Sequence, residues 1–155
     1  MEILVCTISD RAARCEYRDE SGPRIESLLR ESLPAAAIRR TIISDEPDEL
    51  RKVLRKSDGV DVILTTGGTG LGPRDNAPDV TLEVCDRQVP GIAELLRLRS
   101  LEQTANAALS RGAAGMLGRT LVVNLPGSVR ASDFCTRQLL PLLPHAVKMS
   151  AGAGH

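Results

Sequence analysis

The chain has 155 residues, 42% of them apolar, with 20 basic and 20 acidic side chains and no formal net charge. That length suits one compact domain spanning 1–155, with a core large enough to need no metal or disulfide staple. The charge balance argues against nucleic acid or an anionic membrane as the main partner.

A single Tyr (Tyr17), a single Phe (Phe134) and no Trp leave no platform for stacking bases. No run is long enough to span a membrane, and MEILVCTISD has no basic segment before its apolar stretch, so it does not read as a signal peptide. Cys6, Cys15, Cys85 and Cys135 form no CxxC pair. They read as reduced structural thiols of a cytoplasmic protein. The histidines, His145 and His155, lie near the C-terminus, which argues against Ser-His-Asp or Cys-His chemistry. Of the 20 cations, 17 are arginines, which suit bidentate phosphate binding; base composition of the gene explains most of them equally well.

In chain order, residues 2–8 (EILVCTI) predict a strand, and 9–22 a polar loop longer than usual. A helix follows, with Ser21 as its cap, Pro23 in its first turn, and Ile25, Leu28, Leu29 and Leu33 at helical spacing. Residues 36–43 predict a second strand. Asp45-Glu46-Pro47 opens a helix with Leu50, Val53 and Leu54 inward. Residues 60–65 (VDVILT) predict a buried parallel strand. A glycine-rich loop covers 66–76, with helical turns near 78–86. Pro90 starts a helix with Ile92, Leu95, Leu96, Leu101 and Leu109 inward. Residues 120–125 predict another buried strand, paired with a segment near 114–117. Helical sequence runs from Gly127 to about Lys148, restarting at Pro141, and a loose tail covers 150–155.

Strands alternating with helices predict an open, mostly parallel α/β sheet with helices on both faces. Such sheets bind ligands outside the carboxyl ends of their strands. The loops 9–22, 43–46, 66–79 and 124–128 should therefore meet at one edge.

The loop after the third strand holds four glycines and three threonines within residues 65–72. Its candidates for touching a ligand are Thr66, Gly67, Gly68, Thr69 and Gly70. Glycines let the backbone come close to an anion or a polar heterocycle, and threonine hydroxyls add donors. The pattern is neither a Walker A loop nor a dinucleotide fingerprint. Arg74 reads equally as a phosphate clamp or as half of a local pair with Asp75, and Asp75 as a Mg²⁺ ligand or the other half. Asp45 reads as a helix cap or as a second carboxylate facing Asp75, and spacing alone favours the cap. Gly127 and Ser128 open a helix that could hold an anion, while Ser128 caps it. Ser9 and Asp10, which follow the first strand directly in a loop long enough to hint at function, are further candidates for binding the ligand.

Together these loops resemble one family. Its elements stand here as ISDRA (8–12), DESGP (19–23), SDE (44–46), LTTGGTG (64–70), PRD (73–75), PD (78–79), VPGIAELLR (89–97), LSRGAAG (109–115) and NLPGS (124–128). The chain is similar to the Mog-type molybdopterin adenylyltransferases (the MogA/MoaB family), related to the G domains of gephyrin and plant Cnx proteins. The resemblance implies a three-layer α/β/α fold, commonly trimeric. It implies transfer of AMP from MgATP to the terminal phosphate of molybdopterin, with release of pyrophosphate. A partner enzyme then inserts the metal, molybdenum or tungsten. By the same resemblance Gly67, Gly68, Thr69 and Gly70 line the ligand site, Asp45 and Asp75 are the essential acidic pair, and Gly127 and Ser128 bind at the helix start. Ala77, Cys15, Val129 and Arg130 stand where the family commonly has Thr, Gly, Pro and Lys. The alternatives are a non-catalytic MoaB-type binding module, a scaffold, and a generic nucleotide-binding enzyme.

Overall fold

A computed structural model of the chain describes residues 1–56 and 58–152. Six strands form one sheet in the order β2-β1-β3-β6-β5-β4. Their ranges are β1 Glu2–Ile8, β2 Ala37–Ile43, β3 Val62–Thr66, β4 Arg87–Gln88, β5 Ala114–Leu117 and β6 Thr120–Leu125. β1, β2, β3 and β6 run parallel, while β5 and β4 pair antiparallel at one edge. All five residues of β3 are buried, as its continuous apolar run requires of a central parallel strand.

The helices are α1 Asp10–Ala13, α2 Ser21–Ser32, α3 Pro47–Arg55, α4 Ala77–Val84, α5 Pro90–Leu101, α6 Val129–Leu139 and α7 Leu143–Ser150, with a 3₁₀ turn at Ala105–Leu109. They cover both faces of the sheet. On one face Ile25 and Leu29 of α2, Leu96 of α5, Leu139 of α6 and Leu143 of α7 pack over Val62, Leu64, Leu121, Val123 and Leu125. On the other, Leu50 and Leu54 of α3 and Val80 of α4 pack over Cys6, Ile63 and Val122. Neighbouring residues of β3 and β6 thus serve opposite cores, which follows from the two-residue period of a strand. In α3, Asp48 and Glu49 open the helix while Lys52 and Arg55 close it, the order that suits the helix dipole.

Several local expectations change. The 9–22 loop contains the short helix α1, because the Ser9 hydroxyl accepts from the Ala12 amide. Ser21 begins α2 instead of capping it; the Asp19 carboxylate accepts from the Gly22 amide and does that work. The third strand is displaced to end on Thr66. The two-residue strand β4 has no apolar signal, and both its residues are exposed. The helix from Pro90 stops at Leu101, and Leu109 lies on the separate 3₁₀ turn. Leu101 and Leu109 face outward, at 43% and 55% exposure. The last helical stretch breaks after Leu139, and α7 restarts at Leu143 with Pro144, not Pro141, in its first turn. Of the tail, Ser150 closes α7 and 151–152 form a turn, while 153–155 lie outside the described residues.

All four cysteines are free. Burial pushes the Cys6 thiol up to about 12 and the Cys85 thiol up to about 11, and it raises Cys135 as well. Cys15 is exposed and holds a left-handed backbone with φ of 58°, the geometry that a glycine occupies without strain. Because the thiolate is the reactive species, brief iodoacetamide treatment of the native protein at pH 8 should alkylate Cys15 alone. Intact mass should show a single adduct before unfolding and four after it. Two fast native adducts would contradict this packing. No helix among the described residues is long and apolar enough to cross a membrane.

Candidate functional site

The chain crosses from β1 to β2 on one side, then to β3 on the other. The break between β1 and β3 is therefore the switch point of the sheet, where loops diverge and leave a crevice. Ser9 leaves β1 at this point, and its amide donates to the Ile43 carbonyl at the end of β2. The two loops then interlock. The Asp10 amide donates to Asp45 Oδ2 at 2.9 Å, and the Asp45 amide donates to Asp10 Oδ1 at 3.0 Å.

This arrangement removes the helix-cap reading of Asp45. Glu46 occupies the cap position of α3 without a side-chain cap bond. Glu49 reaches back instead and accepts from the Ser44 amide and hydroxyl, both at 2.8 Å. Those bonds hold the Glu49 carboxyl below its usual range. The Asp45 carboxylate is thereby left facing the β1 loop.

Arg74 enters from the glycine-rich loop. Its guanidinium lies 2.8 Å from Asp10 and 3.0 Å from Glu46. The Asp45 amide, and with it Arg74, lowers the Asp10 carboxyl below the ordinary carboxylate range. Arg74 makes no pair with Asp75, so the local-pair reading fails. Asp75 Oδ2 accepts from the Gly72 amide at 2.8 Å. The loop is shaped around this carboxylate: a Cβ on Gly70 or Gly72 would stand 2.9 or 2.8 Å from Asp75 Oδ2.

The start of the same loop is clamped between its neighbours. Gly67 has φ of 106°, and a Cβ there would lie 2.3 Å from the Ile8 carbonyl oxygen. Its amide donates to Leu125, and the buried Thr66 hydroxyl donates to the Pro126 carbonyl at 2.7 Å. Gly127 packs closely on Gly67, where a Cβ would sit 3.2 Å from its Cα. Gly68 also takes positive φ, and the Gly68 carbonyl accepts from Ala77. Thr69 is buried, with its carbonyl accepting from the Arg111 amide. Below them Asn124 donates to Thr65 and Thr81 and accepts from the Ala113 amide, a buried network with every partner supplied.

Ser128 caps α6 through the Ala131 amide, and it also lines a cavity of about 540 Å³ between α5, the 3₁₀ turn and α6. Arg97, Ser100, Asn106 and Arg130 supply polar edges to that cavity, over Leu96 and Phe134. Sequence reasoning did not single out these residues as site residues. For Arg97 and Ser100 the signal was polar side chains interrupting a leucine-rich helix, a pattern that solvent exposure explains as well; Arg130 stood out only as a departure from the family's Lys, and Asn106 carried no signal.

The tertiary structure thus brings Asp10, Asp45 and Arg74 into one bonded cluster next to Ser9, and Thr66, Gly67 and Gly127 into another; Asp75 bonds within its own loop and joins neither. Ser128 faces the cavity beyond them. Among the described residues no group of three or more His, Cys, Asp or Glu could hold a metal ion. Asp45 and Asp75 each commit only Oδ2 to an amide, leaving Oδ1 without a hydrogen bond among the described residues. The two carboxylates share no contact among the described residues, and a donor of this kind, with one oxygen free, fits Mg²⁺, which takes one or two carboxylates and completes its shell from phosphates and water. It does not fit a metal that needs a full protein cage.

Residues 4–145 match a family model described as a probable molybdopterin binding domain. A molybdopterin adenylyltransferase of Helicobacter pylori is 36% identical over 156 residues, covering 98% of this chain and 89% of its own length. The molybdenum cofactor synthesis protein cinnamon of Drosophila melanogaster is 40% identical over 94% of this chain, which spans only 25% of that longer protein. A crystal structure of the molybdopterin biosynthesis enzyme MoaB from Thermus thermophilus superposes with a TM-score of 0.86 at 44% identity, covering 97% of this chain and 96% of the other.

Proposed function

Because the chain belongs to the molybdopterin-binding family of molybdenum cofactor biosynthesis, we propose that it is a molybdopterin adenylyltransferase. The observation that carries this reading is the meeting of three strand-end loops at the switch point. It joins Asp10, Asp45 and Arg74, and the glycine-rich loop that sends Arg74 there also carries Asp75.

Nucleotidyl transfer needs no protein nucleophile. A terminal phosphate oxygen of molybdopterin attacks the α-phosphorus of ATP. The bond from that phosphorus to the oxygen bridging to the β-phosphate breaks, and pyrophosphate leaves with the electron pair. The protein must hold two anions in line and exclude other attackers. Asp45 and Asp75 are the residues that would hold Mg²⁺, and the ion would supply positive charge to the reacting phosphates. The amides of Gly68 and Gly70, with no hydrogen-bond partner among the described residues, would be available to a phosphate. The α6 start at Ser128 offers a second anion site, with the cavity beyond it open to a heterocycle. The absence of a histidine from this cluster is no obstacle, since no proton is transferred in the step written above.

The same reading makes 1–155 one molybdopterin-binding domain of a cytoplasmic homotrimer. Its product is handed to a metal-insertion enzyme. The test is anaerobic incubation of the purified protein with molybdopterin, ATP and Mg²⁺. Adenylated molybdopterin and pyrophosphate in equal amounts are the expected products. Molybdopterin retained by the protein without adenylation would replace the enzyme with a binding module of the same fold.

A further inference from the structure

We propose that Arg111 is a positioning residue, which sets the catalytic geometry of Asp75 by stapling together the two ends of its loop. Arg111 lies between the 3₁₀ turn and β5, outside every strand-end loop considered above. It reaches back 41 residues to donate from Nε to the Gly70 carbonyl at 3.1 Å. One terminal nitrogen donates to the Asp75 carbonyl, 36 residues away. The guanidinium also grips Asp79 in α4 through both carboxylate oxygens, at 3.1 and 2.8 Å. Its own amide donates to Thr69, so backbone and side chain hold the same loop.

The division of labour is what marks the residue. Gly70 and Asp75 bracket a turn that carries Gly72 and supplies the carboxylate to the site. Glycines leave such a turn with more conformational freedom than any other residue type would. The internal bond from the Gly72 amide to Asp75 fixes the carboxylate relative to the turn, not the turn relative to the sheet. Arg111 makes the second connection, and Asp79 aims the guanidinium from a helix that packs on the core. The pair supports itself electrostatically: Asp79 raises the Arg111 pKa, and Arg111 lowers that of Asp79. A lysine could not replace it, because one ammonium cannot span two carbonyls and a carboxylate lying in different directions.

This inference rests on the adenylyltransferase reading for its activity readout, so it is tested with one readout that does not. Misplacing a reacting group by about 1 Å costs on the order of 100-fold in rate. Arg111→Ala and Arg111→Lys should therefore lower kcat by about 10- to 100-fold. The KM for molybdopterin should stay within about twofold of wild type, since this substrate does not rely on Asp75 for binding. Added guanidinium ion at millimolar concentration should restore a measurable part of kcat to Arg111→Ala, but not to Arg111→Lys. Asp79→Asn, which leaves the guanidinium in place but unaimed, should fall between wild type and Arg111→Ala. Amide hydrogen exchange over Gly70–Asp75 should quicken in all three variants while the β3 and β6 amides keep their protection.

Wild-type kcat in Arg111→Ala would overturn the proposal. So would a loss that guanidinium fails to rescue and that tracks a lowered melting midpoint in both Arg111→Lys and Asp79→Asn, because Arg111 would then serve only the fold. If wild-type protein makes no product, the adenylyltransferase reading fails by itself. Unchanged exchange over Gly70–Asp75 would then reject the staple independently.

Discussion

Asp75→Asn should lower the rate of adenylyl transfer by about 100- to 1,000-fold, the range seen when one group that stabilises transition-state charge is removed. Asparagine has the same shape. Its carbonyl can still accept from the Gly72 amide, so the loop keeps its form while the negative charge disappears. Asp45→Asn should behave alike, since its carbonyl can still accept from the Asp10 amide. Both variants should retain molybdopterin and melt within a few degrees of wild type. Single-turnover rates with saturating MgATP, read beside a molybdopterin binding titration, separate the two effects. A double variant that still turns over would defeat the two-carboxylate mechanism.

Gly67→Ala is the substitution with the largest expected effect on the fold. Its Cβ would lie 2.3 Å from the Ile8 carbonyl oxygen, a backbone atom that cannot swing aside. At φ of 106° the backbone itself is also closed to an L side chain. Relief requires moving the end of β1 away from the loop that leaves β3, or dragging that loop off Leu125. A cost of about 3–5 kcal/mol is expected, in the class of severe backbone strain and overpacking. For a chain of this size that corresponds to a melting midpoint lower by roughly 10 °C or more. Gly118→Ala is the control. Gly118 also has positive φ, at 57°, but nothing lies within 4 Å of its would-be Cβ. It should lose only about 1–2 kcal/mol, the conformational cost alone. Equal melting midpoints for the two variants would show that the collision at Ile8 is absent.

How much of this was legible beforehand differs from element to element. β1, β6 and α3 were readable because each carries its own signal: a short apolar run for the strands, and Asp-Glu-Pro ahead of Leu50 and Leu54 for the helix. β4 was not readable, since Arg87 and Gln88 become a strand only because β5 offers an open edge. The end of α5 was missed for a related reason. Leu101 and Leu109 look like inward residues by their type, yet nothing packs over either one enough to bury it.

The site divides in the same way. By itself the sequence determined which loops carry polar and glycine-rich chemistry, that they leave the carboxyl ends of strands, and which family they resemble. Those features depend on residue type and spacing along one chain. Tertiary structure alone decided what each carboxylate does. Asp45 has the spacing of a cap, but 35 residues earlier the chain supplies the Asp10 amide, and that partner wins. Arg74 stands next to Asp75 and pairs with Asp10 instead, 64 residues away. Arg111 gave no local sign of its staple. Hydrogen-bond partners at such separations are chosen by the packing of the sheet and its helices, and local spacing carries no record of that choice.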